Sequence, residues 1–390
     1  MNYLSHRFDF DRSENEITKI LESVKRNKNF LDLTSSNPTN IFSYEKESIQ
    51  KAMGEKIFPY APDPKGVVSA RESLVNFYKK KGRELKIENL FLASGTSEAM
   101  SFILKAITNA DSEILLPTPG YPLYDFILKL ENVVGKNYHF IPRQTEPNFL
   151  KWEINFEDLN QKINKNTKAI VLVEPQNPMG ARLSEADADK LVLTAKEKNL
   201  ILIVDEVFSD YYENYYQRNP FRDANCIFLN GLSKTIALPQ AKLSWIYISG
   251  DKNFESQMKE ALEIICDTYL SVNSMVQYGL DSLLETATFI QNQIRKQIQE
   301  NIKLVQKKLN KQNEIEWYRP EGGWYMLLRL SEKWIDETFS IELLKEKAVY
   351  LFPGYMFDIK DERFIVISLI VPSNVLEEGL SRMLDYLGEI

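Results

Sequence analysis

Short, uninterrupted runs of Leu, Ile and Val recur along this chain, each closed by polar or turn-forming residues and separated from the next by helical spacing. They are Leu90-Phe91-Leu92-Ala93, Glu113-Ile114-Leu115-Leu116, Ala169-Ile170-Val171-Leu172-Val173, Leu200-Ile201-Leu202-Ile203-Val204, Cys226-Ile227-Phe228-Leu229 and Leu243-Ser244-Trp245-Ile246-Tyr247-Ile248. A strand with no polar alternation must be covered on both faces. Runs of this kind alternating with amphipathic helices (Ser69 to about Lys79, Ala99 to Ala106, Glu185 to Lys198) predict an α/β fold with a mostly parallel sheet and helices on both sides. Ligands of such sheets bind beyond the carboxyl ends of the strands. The polar loops there are the places to look for chemistry.

At 390 residues the chain exceeds one ordinary core. A long polar helical stretch, Thr286 to Gln312, leads into a second, smaller α/β unit. Its strands are read at Gly323–Leu328 and Phe364–Leu369, its helices near Ile341–Glu346 and Val375–Leu387. The expected division is an N-terminal arm and substrate loop over 1–45, a large domain over 46–285 and a small C-terminal domain over 286–390. In the arm, Ile17, Ile20, Leu21 and Val24 fall at helical spacing, and Leu31-Asp32-Leu33 is a short strand breaking into a polar loop.

The net charge of −7 argues against nucleic acid as a partner, because phosphate binding needs a basic face. The runs Lys79-Lys80-Lys81 and Lys307-Lys308 read as solvated helix faces. Two cysteines, Cys226 and Cys266, sit in apolar runs and support neither a disulfide framework nor a thiolate metal site, which fits a reducing cytoplasm. The two histidines, His6 and His139, lack neighbours at ligand spacing, so no metal is expected. The N-terminal stretch is not a signal peptide, and no stretch approaches the ~18 apolar residues of a membrane span.

Past the end of the run Cys226–Leu229, Asn230-Gly231 turns the chain and Ser233-Lys234 follows. A lysine there is partly desolvated, which lowers its pKa and makes the amine a nucleophile. Eight residues on, Lys242 adds a second cation that could hold an anion. Asp205 closes an apolar strand and is unfavourable unless it meets a cation, although a strand-end turn residue is the alternative. Ser94-Gly95-Thr96 opens a helix and reads either as an anion cradle or as a plain N-cap. Asn177 in Asn177-Pro178-Met179-Gly180 and Tyr121 in Pro119-Gly120-Tyr121-Pro122 read alone as a turn and as core.

In their order and spacing, SGTSEA, PTPGYPLY, EPQNPMGA, IVDEVF, GLSKT and EGGWY resemble the fold type I, class I/II (aspartate-aminotransferase-like) pyridoxal-phosphate enzymes, from about Leu31 to the C-terminus. The resemblance implies the cofactor pyridoxal 5′-phosphate, held by Lys234 as an internal aldimine. Lys234 would then move the proton as general base and acid, and Asp205 would keep the pyridine nitrogen protonated. It implies phosphate contacts from Ser94, Gly95, Thr96, Ser233 or Thr235, and Lys242. Tyr121 would stack on the ring and Asn177 would meet its 3′-oxygen. Tyr60 stands where family members reach the phosphate of a neighbouring subunit, implying a homodimer with shared active sites. The implied reaction is transamination between an amino acid and a 2-oxo acid by a ping-pong mechanism.

The departures matter more for the substrate than for the cofactor. Lys242 replaces an arginine, Gly231 a serine, and Phe208 a tyrosine that would donate to the 3′-oxygen. Val366 stands where the family places its substrate-carboxylate arginine, two residues before Ser368. Arg363 lies on the opposite strand face. Arg329, or the polar Ser35, Ser36 and Asn37, are the remaining candidates for that carboxylate. The lost arginine keeps a second reading open, β-elimination, decarboxylation or carbon–carbon bond formation on the same cofactor; a third, a catalytically silent regulatory module, is opposed by the retention of Lys234 and Asp205.

Overall fold

A computed structural model describes residues 14–26, 29–35, 62–212, 220–310 and 312–388. The strands in chain order are β1 Leu31–Asp32, β2 Leu90–Ala93, β3 Glu113–Thr118, β4 Val134–Glu146, β5 Phe149–Ile154, β6 Thr167–Val173 and β7 Ile201–Asp205. They continue with β8 Cys226–Gly231, β9 Ser244–Ser249, β10 Ile315–Tyr318, β11 Tyr325–Leu330, β12 Val349–Tyr350, β13 Phe352–Pro353 and β14 Phe364–Ser368. Among the described residues, the large sheet has eight strands in the order β2-β9-β8-β7-β6-β3-β4-β5. Its centre, from β4 through β3, β6 and β7 to β8, is parallel, and β2, β9 and β5 add antiparallel edges.

Side-chain alternation divides the buried strand residues between two cores, as a doubly covered sheet requires. On β6, Ile170 and Leu172 enter one core beside Leu191 and Ala195 of the helix Glu185–Lys198. Ala169, Val171 and Val173 enter the other, beside Met100 and Ile103 of the helix Thr96–Ile107. Ile170, Leu172, Ala169 and Val171 are fully buried, and each large aliphatic side chain so buried contributes about 1.5–3 kcal/mol.

The C-terminal sheet is antiparallel, ordered β10-β11-β14-β13. Ile365 and Ile367 of β14 pack into a C-terminal core with Val305, Phe339 and Met383, while Phe364 and Val366 face the large core. The N-terminal arm docks here too. Its helix Glu16–Val24 sets Ile17 and Leu21 against Ile341 and Leu344, and β1 pairs in parallel with β12. The Leu33 carbonyl then accepts from the Ser368 amide at 2.8 Å, bringing the start of the arm's loop to the end of β14.

Two features depart from the expectation. The hairpin β4–β5 was not foreseen: its outer half is polar and exposed, so it shows no buried run, and Asn148 takes a positive φ of 60° at its turn. The run Lys79-Lys80-Lys81 is not wholly a solvated face, because Lys81 bonds Asp210 and lies 4.0 Å from the Phe77 ring centre. Among the described residues, no helix is long and apolar enough to cross a membrane, and no cluster of three or more His, Cys, Asp or Glu side chains forms.

Candidate active site

Strands β7 and β8 run side by side and pair Asp205 with Leu229, so Asp205 and the turn after β8 leave the sheet at the same edge. The Glu206 amide donates to the Leu229 carbonyl at 2.8 Å and closes the gap between the two loops. Extended backbone at Gly231 leads straight into the short helix Leu232–Thr235, which carries Lys234. Only a residue without a side chain fits at 231, because an added Cβ would lie 2.9 Å from Ser244 Cβ.

The result is a cavity of about 230 Å³ lined by Thr96, Tyr121, Tyr124, Val173, Asn177, Asp205, Val207, Phe208, Gly231, Ser233, Lys234, Ser244 and Tyr325. Asp205 and Lys234 therefore share one chamber. Asp205 accepts from the Tyr124 hydroxyl at 2.5 Å and from the Val207 amide at 3.0 Å. Burial still pushes its carboxyl up to about 6, against the pull of those two donors and of Lys234. Burial also brings the Lys234 ammonium down to about 8, while the Asp205 charge acts in the opposite sense. Both shifts have one cause: a dry chamber disfavours either charge. The Lys234 amine is consequently neutral often enough near pH 8 to act as a nucleophile or base.

The structure brings seven of the expected residues to this cavity and leaves others outside. Thr96, Tyr121, Asn177, Asp205, Phe208, Ser233 and Lys234 line it. Ser233 faces the cavity, whereas Thr235 is buried and donates to Asn230 Oδ1 at 3.1 Å. Ser94 and Gly95 do not line it; the Ser94 amide donates to Glu98 Oε2 at 2.7 Å and its hydroxyl to the Ser271 carbonyl at 3.0 Å. Lys242 is exposed, in a left-handed conformation, and also lies outside the lining. Arg329 does not reach the cavity. It sits four residues past Tyr325 on β11, roughly 13 Å along an extended strand, and pairs with Asp361 at 3.0 Å and Glu316 at 3.8 Å. Ser35 is half-buried beyond Leu33 and does not line the cavity either, while Ser36, Asn37 and Tyr60 lie outside the described residues. Val366 is fully buried opposite Leu327 and Phe352, and Arg363 is held by Asp361 at 2.8 Å.

Three hydroxyl-bearing lining residues, Tyr124, Ser244 and Tyr325, were not among the expected site residues. Tyr124 opens the helix Leu123–Leu130, just after the turn that carries Tyr121, and its amide donates to the Tyr121 carbonyl at 3.3 Å. Their ring centres are 6.0 Å apart at 87°. Ser244 opens β9 and pairs with Gly231 of β8, a register that sequence does not give, and Tyr325 arrives from β11 of the other sheet.

Comparisons with known proteins place nearly the whole chain in a family. Residues 25–383 match the family model for aminotransferase class I and II. A glutamate-pyruvate aminotransferase (AlaA) of Haemophilus influenzae is 26% identical over 84% of this chain and 82% of its own. An aspartate aminotransferase of Pyrococcus horikoshii is 27% identical over 94% and 93%. The solved alanine aminotransferase from Pyrococcus furiosus superposes with a TM-score of 0.88 at 22% identity, covering 99% of this chain and 100% of that one. With the family model matching nearly from end to end, the chain belongs to the class I and II aminotransferases and is an aminotransferase enzyme.

Proposed function

We propose that this aminotransferase uses pyridoxal 5′-phosphate bound at Lys234 and moves an amino group from an amino acid to a 2-oxo acid in two half-reactions, by a ping-pong mechanism. The observation that carries the proposal is the shared chamber of Asp205 and Lys234, each with its charge disfavoured by burial. The residues fit the cofactor. Among the described residues the donors to the buried Asp205 carboxylate, the Tyr124 hydroxyl and the Val207 amide, are both neutral, so it can still hold a proton-bearing ring nitrogen. When bound, the cofactor supplies a carbonyl carbon for amines and an electron-accepting ring.

Lys234 would bind that carbonyl and then take and return the proton at its Nζ. Asp205, oriented by Tyr124 and Val207, would hold a proton on the ring nitrogen. Asn177 would meet the ring oxygen with no help from Phe208, which carries no hydroxyl. Tyr121 would cover the ring. The N-terminus of the helix Thr96–Ile107 and Ser233 would receive the phosphate, with Ser94, Gly95 and Lys242 beside them. Tyr60, Ser35, Ser36 and Asn37 remain part of the proposal as contacts from the arm and from a second subunit.

A homodimer with shared sites, in a reducing cytoplasm, completes the reading; two free, buried cysteines suit that compartment. Val366 favours a second reading, in which the same bound cofactor serves elimination, decarboxylation or carbon–carbon bond formation. A half-reaction screen over the common amino acids separates them. Transamination bleaches the visible band of the lysine-bound cofactor and releases the 2-oxo acid of the donor. Elimination releases ammonia and pyruvate, and no response from any donor would contradict both readings.

A further inference from the structure

Lys234 meets more than Asp205. Gly322 packs against the Tyr212 ring and Pro175, and Gly323, at a φ of 77°, turns the chain so that Trp324 points inward and is fully buried. The Leu369 amide donates to the Trp324 carbonyl at 2.7 Å and fixes that backbone. The indole stands edge-on to Phe208 (5.5 Å, 69°) and Tyr211 (5.2 Å, 65°), and the Tyr211 hydroxyl donates to the Lys234 carbonyl at 2.6 Å. Over this arrangement lies the Lys234 amine. Its Nζ is 4.6 Å from the Trp324 ring centre and 5.4 Å from that of Phe208.

We propose that Trp324 is a positioning residue for the reaction, its indole face forming with Phe208 a seat for the Lys234 ammonium whenever that amine is not bonded to cofactor. The inference rests on the function proposed above for the site. A ring face attracts an ammonium through its quadrupole, most strongly in tryptophan, and does so without accepting its proton. A second carboxylate would hold the amine charged; an aromatic seat leaves it free to deprotonate and attack. The indole nitrogen carries the second clue. Trp324 Nε1 is buried with no acceptor, a penalty that phenylalanine would avoid, so hydrogen bonding does not account for an indole at this position. The other titratable groups on the chamber are Asp205 of β7, Tyr121 and Tyr124 beside it, and Tyr325 of β11, the strand that begins just after Trp324. Since Trp324 belongs to the C-terminal unit and Phe208 to the large domain, the seat is complete only when the two units are packed as they are here.

The test reads Lys234 directly in the full chain freed of cofactor. Its reductive methylation is followed against pH by peptide mass spectrometry. Removing the ring face disfavours the charged amine, so Trp324→Leu moves the midpoint down by about half to one pH unit, and Trp324→Phe and Phe208→Leu move it down by less. A midpoint that stays in place or rises in a folded Trp324→Leu chain overturns the proposal. Should that variant fail to fold, unmoved midpoints in both Trp324→Phe and Phe208→Leu overturn it instead. The readout involves neither cofactor nor substrate. Failure of the transaminase reading, seen as an absent half-reaction, is therefore distinguishable from failure of the aromatic seat.

Discussion

Burying Asp205 destabilises the chain when no cofactor is bound, and the sign follows from its titration. Its carboxyl rises from 3.8 to about 6, so the native state holds the proton more tightly and stability is lost as pH climbs through that window. Lys234 is displaced the other way, from 10.5 to about 8, so stability is regained only as pH rises from about 8 towards 10.5. Asp205→Asn is expected to stabilise the cofactor-free chain by about 1–3 kcal/mol at pH 7.5 and by almost nothing at pH 4, measured by denaturant unfolding. Equal effects at both pH values would contradict the account. Tyr124→Phe removes a donor that favours the carboxylate, so the acid limb of the pH–rate profile should move up by about one unit. Lys234→Ala should reduce turnover by at least about 10²-fold while leaving the fold intact, checked by steady-state rates and circular dichroism.

Among the elements, what could be read from sequence was whatever a single strand or helix determines for itself. The helix Glu185–Lys198 stands where its spacing placed it, and Asp205 and Lys234, which share one cavity, could be singled out because polar residues at or just past the end of a buried strand are a local signal. The hairpin β4–β5 was missed because a strand half in water lacks a buried run. Ser244, Trp324 and Tyr325 were missed as neighbours of Lys234 because sequence gives neither the register of β9 on β8 nor the packing of the turn before β11 against the large sheet. The pairing of Arg329 was illegible for the same reason: Asp361, the carboxylate that holds it, lies on a different stretch of chain. One loop junction deserves a direct test. Gly180 holds a φ of 62°, an added Cβ would lie 2.4 Å from Pro320 Cβ, and its carbonyl accepts from the Glu321 and Gly322 amides at 2.9 Å. Gly180→Ala should therefore destabilise the protein by about 1–3 kcal/mol, seen as a lower denaturation midpoint, and shift the turn that leads to Trp324. An unchanged midpoint would mean that this junction is looser than its geometry indicates.

At the level of the whole molecule, the arm packs on the C-terminal sheet's helix and on β12, and the cavity is lined from both sheets, with Tyr325 of β11 on one side and Lys234 on the other. On the large domain, Ile264 and Tyr269 of the helix Lys252–Tyr269 are 70% and 52% exposed, an apolar surface that suits the proposed second subunit. Sedimentation should give about twice the 45.3 kDa chain mass, and Ile264→Asp should shift it towards the monomer. The most direct test of the central claim is borohydride reduction of the protein loaded with pyridoxal phosphate, followed by peptide mapping. The account predicts a stable cofactor adduct on Lys234, retained in the Tyr124→Phe variant. An adduct on another lysine, or none, would contradict it.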